Sequence, residues 1–225
     1  MFNGKFAFLF HHFRWLILSF KYTTISAWPL AVARALNASG FDANQVFDNA
    51  GLSLAKLEMS PDSRIAIETM TRLWQIVEIE TQLTSFGLKV GAYAYPLHFH
   101  SLGLLMISSN TLAQAFEKIP TYYAMVSNSG SIKLQHTPQQ LGFTITPLEG
   151  VNISALPIDA FFSSLMHHGC LMTGHKRFVK HVALMRDKPV NVEPWEACFG
   201  CSVSFNQPEN CLWMDRSMLE EASIT

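Results

Sequence analysis

Residues 86–126, FGLKVGAYAYPLHFHSLGLLMISSNTLAQAFEKIPTYYAMV, carry only Lys89, Glu117 and Lys118 as charged side chains. The sparseness continues: from Gly91 to Gly174 the charges are Glu117, Lys118, Lys133, Glu149 and Asp159. A chain that runs so far without charge buries the stretch against itself, a partner or a ligand. The pattern points to a binding or sensing domain before any motif is considered.

The chain has 225 residues and is 49% hydrophobic, enough for one large domain with a sizeable core. Its net charge is -1, unlike the Lys and Arg excess of a phosphate-neutralising surface. A local basic cluster (Lys176, Arg177, Lys180, Arg186, Lys188) reads as a solvated helix end. Cysteine usage gives no secretory framework and suits a reducing cytoplasm.

Residues 1–27 are apolar and basic, with Lys5, Arg14 and Lys21 and no acid. His11, His12 and Arg14 interrupt the apolar runs, so neither a spanning helix nor a signal peptide fits. An interfacial helix is one reading. The preferred one is an extension ahead of a domain that starts near Trp28.

Periodicity gives the organisation. Asp42 caps a short helix reaching Asn49, closed by Gly51. After Pro61-Asp62-Ser63, the stripe Ala66, Ile67, Met70, Leu73, Trp74 and Val77 marks an amphipathic helix. Ser85 opens another helix that ends before Pro96, and residues 102–107, apolar almost all round, read as buried. Thr111 caps the next helix with Gln114 at the capping-box position, and Pro120 should kink or restart it. Ile132, Leu134 and His136, then Leu141, Phe143 and Ile145, alternate about a turn and predict a hairpin. A helix over 154–173 stops at Gly174, and short strands and a helix follow over 179–185, 194–199, 202–205 and 211–214. The expected fold class is α+β: an amino-terminal helical part, then a small, mainly antiparallel sheet with packed helices.

Candidate chemistry is sparse. Cys198-Phe-Gly-Cys201, with Cys211 nearby, has the spacing of a zinc or redox pair, but a second ligand pair is missing and core packing explains it. His98 and His100 would share a side if extended, close enough for a common polar ligand or metal. His168 lies one turn from Met172 on the later helix and could face a pocket. Tyr93, Tyr95, Tyr122 and Tyr123 offer aromatic walls with polar tips, the mixture that small-molecule pockets use, although at helical spacing each is also a normal core residue. Nucleophile elbows, phosphate loops and zinc-protease motifs are absent, so an enzyme is the weaker reading. The candidate ligand-binding residues are therefore Tyr93, Tyr95, His98, His100, Tyr122, Tyr123 and His168, with no catalytic residue, metal or cofactor.

Several motifs carry a family resemblance. They are Ala50-Gly51-Leu52; Phe86-Gly87-Leu88 through Gly91 to Pro96; Leu102-Gly103 through Ser108-Ser109 to Thr111-Leu112-x-x-Ala115; and Phe199-Gly200-Cys201-x-Val203-x-Phe205 followed by Asn210-x-Leu212 and Asp215-x-x-Met218-Leu219. In order and spacing these resemble the amino-terminal effector domain of AraC-type bacterial transcription regulators, in the non-cupin, arabinose-binding-like branch. The resemblance covers 28–219. Pro120 departs from it by falling where the family continues a helix. The family's carboxy-terminal DNA-binding domain, two helix-turn-helix units, does not follow; residues 220–225 read as the start of a linker, as in a truncated chain or incomplete frame.

The resemblance implies a cytoplasmic, dimerising sensor that binds a small organic effector and reaches DNA only through the carboxy-terminal domain, without stable membrane insertion. The apolar character of the central segment favours an acid, an amino-acid derivative or a lipid-like molecule over a sugar. The rival reading is a free-standing haem, metal or lipid carrier.

Overall fold

In the computed structural model, which describes residues 21–174 and 177–223, the chain enters through strand β1 (Thr23–Ile25). This strand pairs antiparallel with β2 (Arg64–Ala66), in the register Thr24 opposite Ile65. Arg64 fixes the pairing: its guanidinium donates to Thr23 Oγ1 at 2.9 Å, to the Thr23 carbonyl at 3.0 Å and to the Met125 carbonyl at 2.7 Å. The folded unit thus begins upstream of Trp28, the start expected from sequence. Of the leader, residues 1–20 lie outside the described residues.

A helical half follows: α1 (Ala27–Ala38), α2 (Ala43–Asn49), α3 (Leu54–Met59), α4 (Ile67–Thr81), α5 (Phe86–Ala92), a 3-10 turn (Pro96–Phe99), α6 (His100–Ile107) and α7 (Leu112–Val126). Local chemistry sets the ends. Asp42 Oδ1 accepts from the backbone N–H of Asn44 and Gln45, and Gly51 closes α2 at φ +77. Thr111 Oγ1 accepts from Gln114 N at 3.2 Å, while the Gln114 side chain reaches back to Asn110 N, one residue beyond the expected box partner. Pro120 neither ends nor restarts α7, which runs through it as one helix. Phe116, Ile119, Tyr123 and Val126 are buried on both sides of the proline, so packing outweighs one lost backbone bond. Residues 102–107 are only half buried: Leu102 and Met106 face the core, and Leu104 and Ile107 are exposed.

The second half is a five-stranded sheet in the order β3-β4-β7-β5-β6, made from β3 (Gly130–His136), β4 (Gln140–Pro147), β5 (Val179–Ala183), β6 (Val203–Ser204) and β7 (Asn210–Asp215). All its pairings are antiparallel except β5 with β6. The hairpin register places Ile132 opposite Ile145, Leu134 opposite Phe143 and His136 opposite Leu141, so the residues that alternate in sequence face one another across the strands. The fold is α+β.

The long helix α8 (Ala155–Thr173), ended by Gly174 at φ +70, packs between the sheet and the helical half. The uncharged segment finds its burial here. A Cβ on Gly91 would stand 2.5 Å from the Ser164 backbone nitrogen, and one on Gly87 would strike the Leu156 carbonyl. Glycine at both positions brings the α5 and α8 backbones together, and Ser163 Oγ donates to the Leu88 carbonyl at 2.6 Å across the contact. Helix α9 (Glu193–Phe199) seals the far side with Trp195 and Phe199, and α10 (Arg216–Leu219) packs on α7, β4 and β7.

Candidate functional site

Rings line the space between the two halves. Phe143 on β4 contacts Phe116, Phe161 and Phe162; Phe161 on α8 contacts Tyr123 at 5.7 Å and Phe99; Phe99 meets Trp28 at 5.2 Å. Where this chain of rings parts from α4 it leaves a cavity of about 70 Å³. Trp28, Trp74, Phe99, Tyr123 and Phe161 form its aromatic walls, with Met70, Ile145 and Ile158 between them. Its polar groups are hydroxyls of Thr24, Thr71, Ser127, Ser129 and Ser154 and the amide of Asn152. No charged side chain borders it.

Several of these hydroxyls already have partners. Thr24 Oγ1 donates to the Val126 carbonyl, Thr71 Oγ1 to the Ile67 carbonyl, and Ser127 and Ser129 share a 2.7 Å hydrogen bond. Burial pushes the Tyr123 phenol up to about 12, against a hydrogen bond with Ser127 that acts the other way, so the group stays neutral. A neutral, mostly apolar chamber with a few oriented hydroxyls can enclose an uncharged organic molecule; it offers no acid, base or nucleophile positioned for a reaction.

Of the residues expected from sequence, Tyr123 borders this cavity. Neither His98 nor His168 borders it: His168 rings edge-on against Phe99 at 5.8 Å and lines a small void of about 10 Å³ with Pro96 and Met172. His98 Nδ1 accepts from the Tyr95 backbone N–H at 2.9 Å, and His168 Nδ1 donates to the Ser164 carbonyl at 2.7 Å. Burial first, then the charges of Arg34 and His168, holds His98 down at about 4; burial also lowers His168. Both are neutral, satisfied imidazoles near pH 7. His100 turns away from His98 with φ +53, pairing Nε2 with Asp62 Oδ1 at 2.8 Å on the surface. The 3-10 turn thus parts two side chains that an extended backbone would have kept together. Tyr95 is exposed under the Arg34 guanidinium, Tyr122 is exposed on the outer face of α7, and half-buried Tyr93 packs on the core; none of the three borders the cavity.

Among the described residues, no three His, Cys, Asp or Glu side chains converge as metal ligands. Burial raises the thiols of Cys198, Cys201 and Cys211, the latter two to about 11, so none is held as the thiolate that zinc or exchange chemistry uses.

Two features lay outside the sequence expectation. Trp74 reads only as part of an amphipathic stripe, and Trp28, Phe99 and Phe161 carry no local signal of a site; the meeting of four elements makes them walls. The other is a buried ion pair between Asp159 on α8 and Arg186, which the sequence grouped with a solvated cluster. A signal was present: Asp159 is the sole charge in α8, and a lone acid inside an apolar helix requires a partner.

Residues 40–222 match the family described as the arabinose-binding domain of AraC transcription regulators, amino-terminal. The fold is similar to that of the transcriptional regulator CdpR from Pseudomonas aeruginosa, with a TM-score of 0.57 at 14% identity, over 85% of this chain and 56% of that one. The chain therefore spans little more than half the length of that regulator. No match was found among curated proteins.

Proposed function

Because the chain belongs to the amino-terminal arabinose-binding domain family of AraC transcription regulators, we propose that it senses a small, uncharged and largely apolar organic effector held in the aromatic cavity. The observation that supports this most is the lining: five aromatic side chains and a set of hydroxyls, without one charge. A sugar would ask for several Asp, Asn or Arg partners, and a charged effector would meet no counter-charge there. The reading also favours binding over catalysis, since the chamber holds no titratable group suited to proton transfer near pH 7.

The route from effector to DNA would run through the helices that wall the cavity. Residues 220–223 lie against the start of α7, with Ala222 bridging Thr111 and Ser223 N donating to the Asn110 carbonyl, and Ser223 Oγ reaches the Met172 carbonyl at the end of α8. An effector that binds one setting of α7 and α8 better than another biases this segment by its difference in affinity. In the complete regulator, acting as a homodimer, that bias would reach a helix-turn-helix domain.

A thermal-shift screen of neutral aromatic and alicyclic compounds tests the reading. Binding at about 100 times Kd adds roughly 2.7 kcal/mol to stability. Trp28 and Trp74 should report it by fluorescence, and Thr71→Trp, which fills the chamber, should abolish both signals while the protein stays folded. Hits that bind T71W as well as the parent would refute the site.

A further inference from the structure

Large aliphatic side chains stand exposed beside the small void between α6 and α8. Leu104 is 51% accessible, Ile107 41%, Leu171 56% and Leu97 71%. Ile107 lines the void with Gly103 and Met106 of α6 and with Leu165, His168 and Met172 of α8. Leu104 precedes Ile107 by one turn, and Leu171 follows His168 by one turn, so both lie on the helix faces that meet there. Leu97 belongs to the 3-10 turn, whose Pro96 borders the same void and packs so closely on Gly103 that a Cβ there would strike its carbonyl.

Charge is missing from this face. Residues 96–116 and 160–173 contain no Lys, Arg, Asp or Glu. Two charges adjoin the ends of α6, and both are engaged: Lys118 Nζ donates to the Leu105 carbonyl at 3.2 Å and to Ser109 Oγ at 2.8 Å, and Asp62 pairs with His100. Exposed leucines clustered without charge have the composition of an interface core. Two observations point to a second copy as the occupant. A two-fold contact sets a patch against itself, so a charge near the axis would meet a like charge, whereas a neutral apolar patch is its own complement. The chain also leaves the domain beside this face: Ala222 bridges Thr111, Ser223 N donates to the Asn110 carbonyl, and Ser223 Oγ donates to the Met172 carbonyl. Pairing here brings the exits of two copies together, as suits two helix-turn-helix domains on half-sites about 34–36 Å apart.

We propose that this face, centred on Leu104, Ile107 and Leu171, is the contact through which two copies of the chain form a symmetric dimer. This rests on the reading of the chain as part of a homodimeric regulator and is independent of the effector site.

Sedimentation equilibrium of the whole chain at roughly 1–100 μM tests it. The unaltered protein should sediment as a dimer. Leu104→Glu and Leu171→Glu each set like charges against one another in the contact and should raise the dimer Kd at least about 100-fold. Ile79→Glu, at a comparably exposed position on α4, should leave the Kd within about threefold. Circular dichroism and Tm matching the parent separate a lost dimer from lost folding. Where a glutamate variant does not fold, the double change Leu104→Ala with Leu171→Ala, which removes apolar surface without adding charge, should weaken the dimer at least about tenfold. A monomer across the whole range overturns both this face and the homodimer reading. A dimer that survives L104E and L171E, or that I79E breaks as readily, overturns the face alone. Neither result touches effector binding, which the thermal-shift screen decides separately.

Discussion

Replacing Gly91 with alanine tests the close packing of α5 on α8. On an exposed helix the change would stabilise by about 1 kcal/mol, because alanine is the better helix former. Here the new Cβ would stand 2.5 Å from the Ser164 backbone nitrogen and closer still to the Ser163 hydroxyl, distances that real Cβ atoms do not tolerate. The helices must part, which costs about 1–3 kcal/mol for overpacking. Separation also weakens the 2.6 Å bond from Ser163 Oγ to the Leu88 carbonyl, worth about 1 kcal/mol. The net expectation is a loss of about 2 kcal/mol, or a fall in Tm of roughly 4–8 °C for a domain of this size. Urea denaturation of G91A beside Lys89→Ala, a change on the exposed face of the same helix, measures it; K89A should stay within about 0.5 kcal/mol of the parent. If G91A is as stable as the parent or more so, helix propensity has outweighed packing and the α5–α8 contact is not as tight as described.

Other outcomes follow from the charges. Burial raises the Asp159 carboxyl to about 7 against the pull of Arg186, so its contribution to stability is present below the unfolded pKa and is lost as pH rises from about 4 through 7. Arg186→Met strands the carboxylate: it should cost about 3–5 kcal/mol at pH near 8 and distinctly less at pH near 5, where Asp159 takes a proton; an equal loss at both would refute the raised pKa. His98 acts in the opposite sense, since its folded pKa is held down to about 4: its stabilising contribution is present above about 6.5 and is lost as pH falls toward 4, and His98→Phe should flatten that slope in chemical denaturation. Asp62→Asn removes the exposed partner of His100 and should change stability by less than about 1 kcal/mol, as surface pairs do.

Much of the fold could be read from local pattern. The Asp42 cap, the hairpin alternation and the Gly174 stop are each set by residues a few positions apart, and each forms where the sequence places it. What escaped depends on distant partners. Arg64–Ala66 reads as part of a helix because its partner strand, Thr23–Ile25, lies some forty residues upstream in a segment that reads as a leader. His98 and His100 are neighbours only on an extended backbone, and the positive φ at His100 turns one inward and the other out. The site was less readable than the fold, because its walls are ordinary core residues. Trp74 belongs to a plain amphipathic stripe, and nothing local separates an aromatic that packs from one that borders a void. The charge-poor segment signalled burial correctly; the structure spreads that burial over α5 against α8 and over the inner faces of α6 and α7, with only Phe99, Tyr123 and Val126 on the cavity wall.

The most direct test of the sensing site is a crystal structure of the protein with the tightest-binding compound from the neutral aromatic and alicyclic series. The account predicts density for its ring between Trp28, Trp74 and Phe161. Density for that compound anywhere else, with the chamber closed by its own side chains, would contradict it.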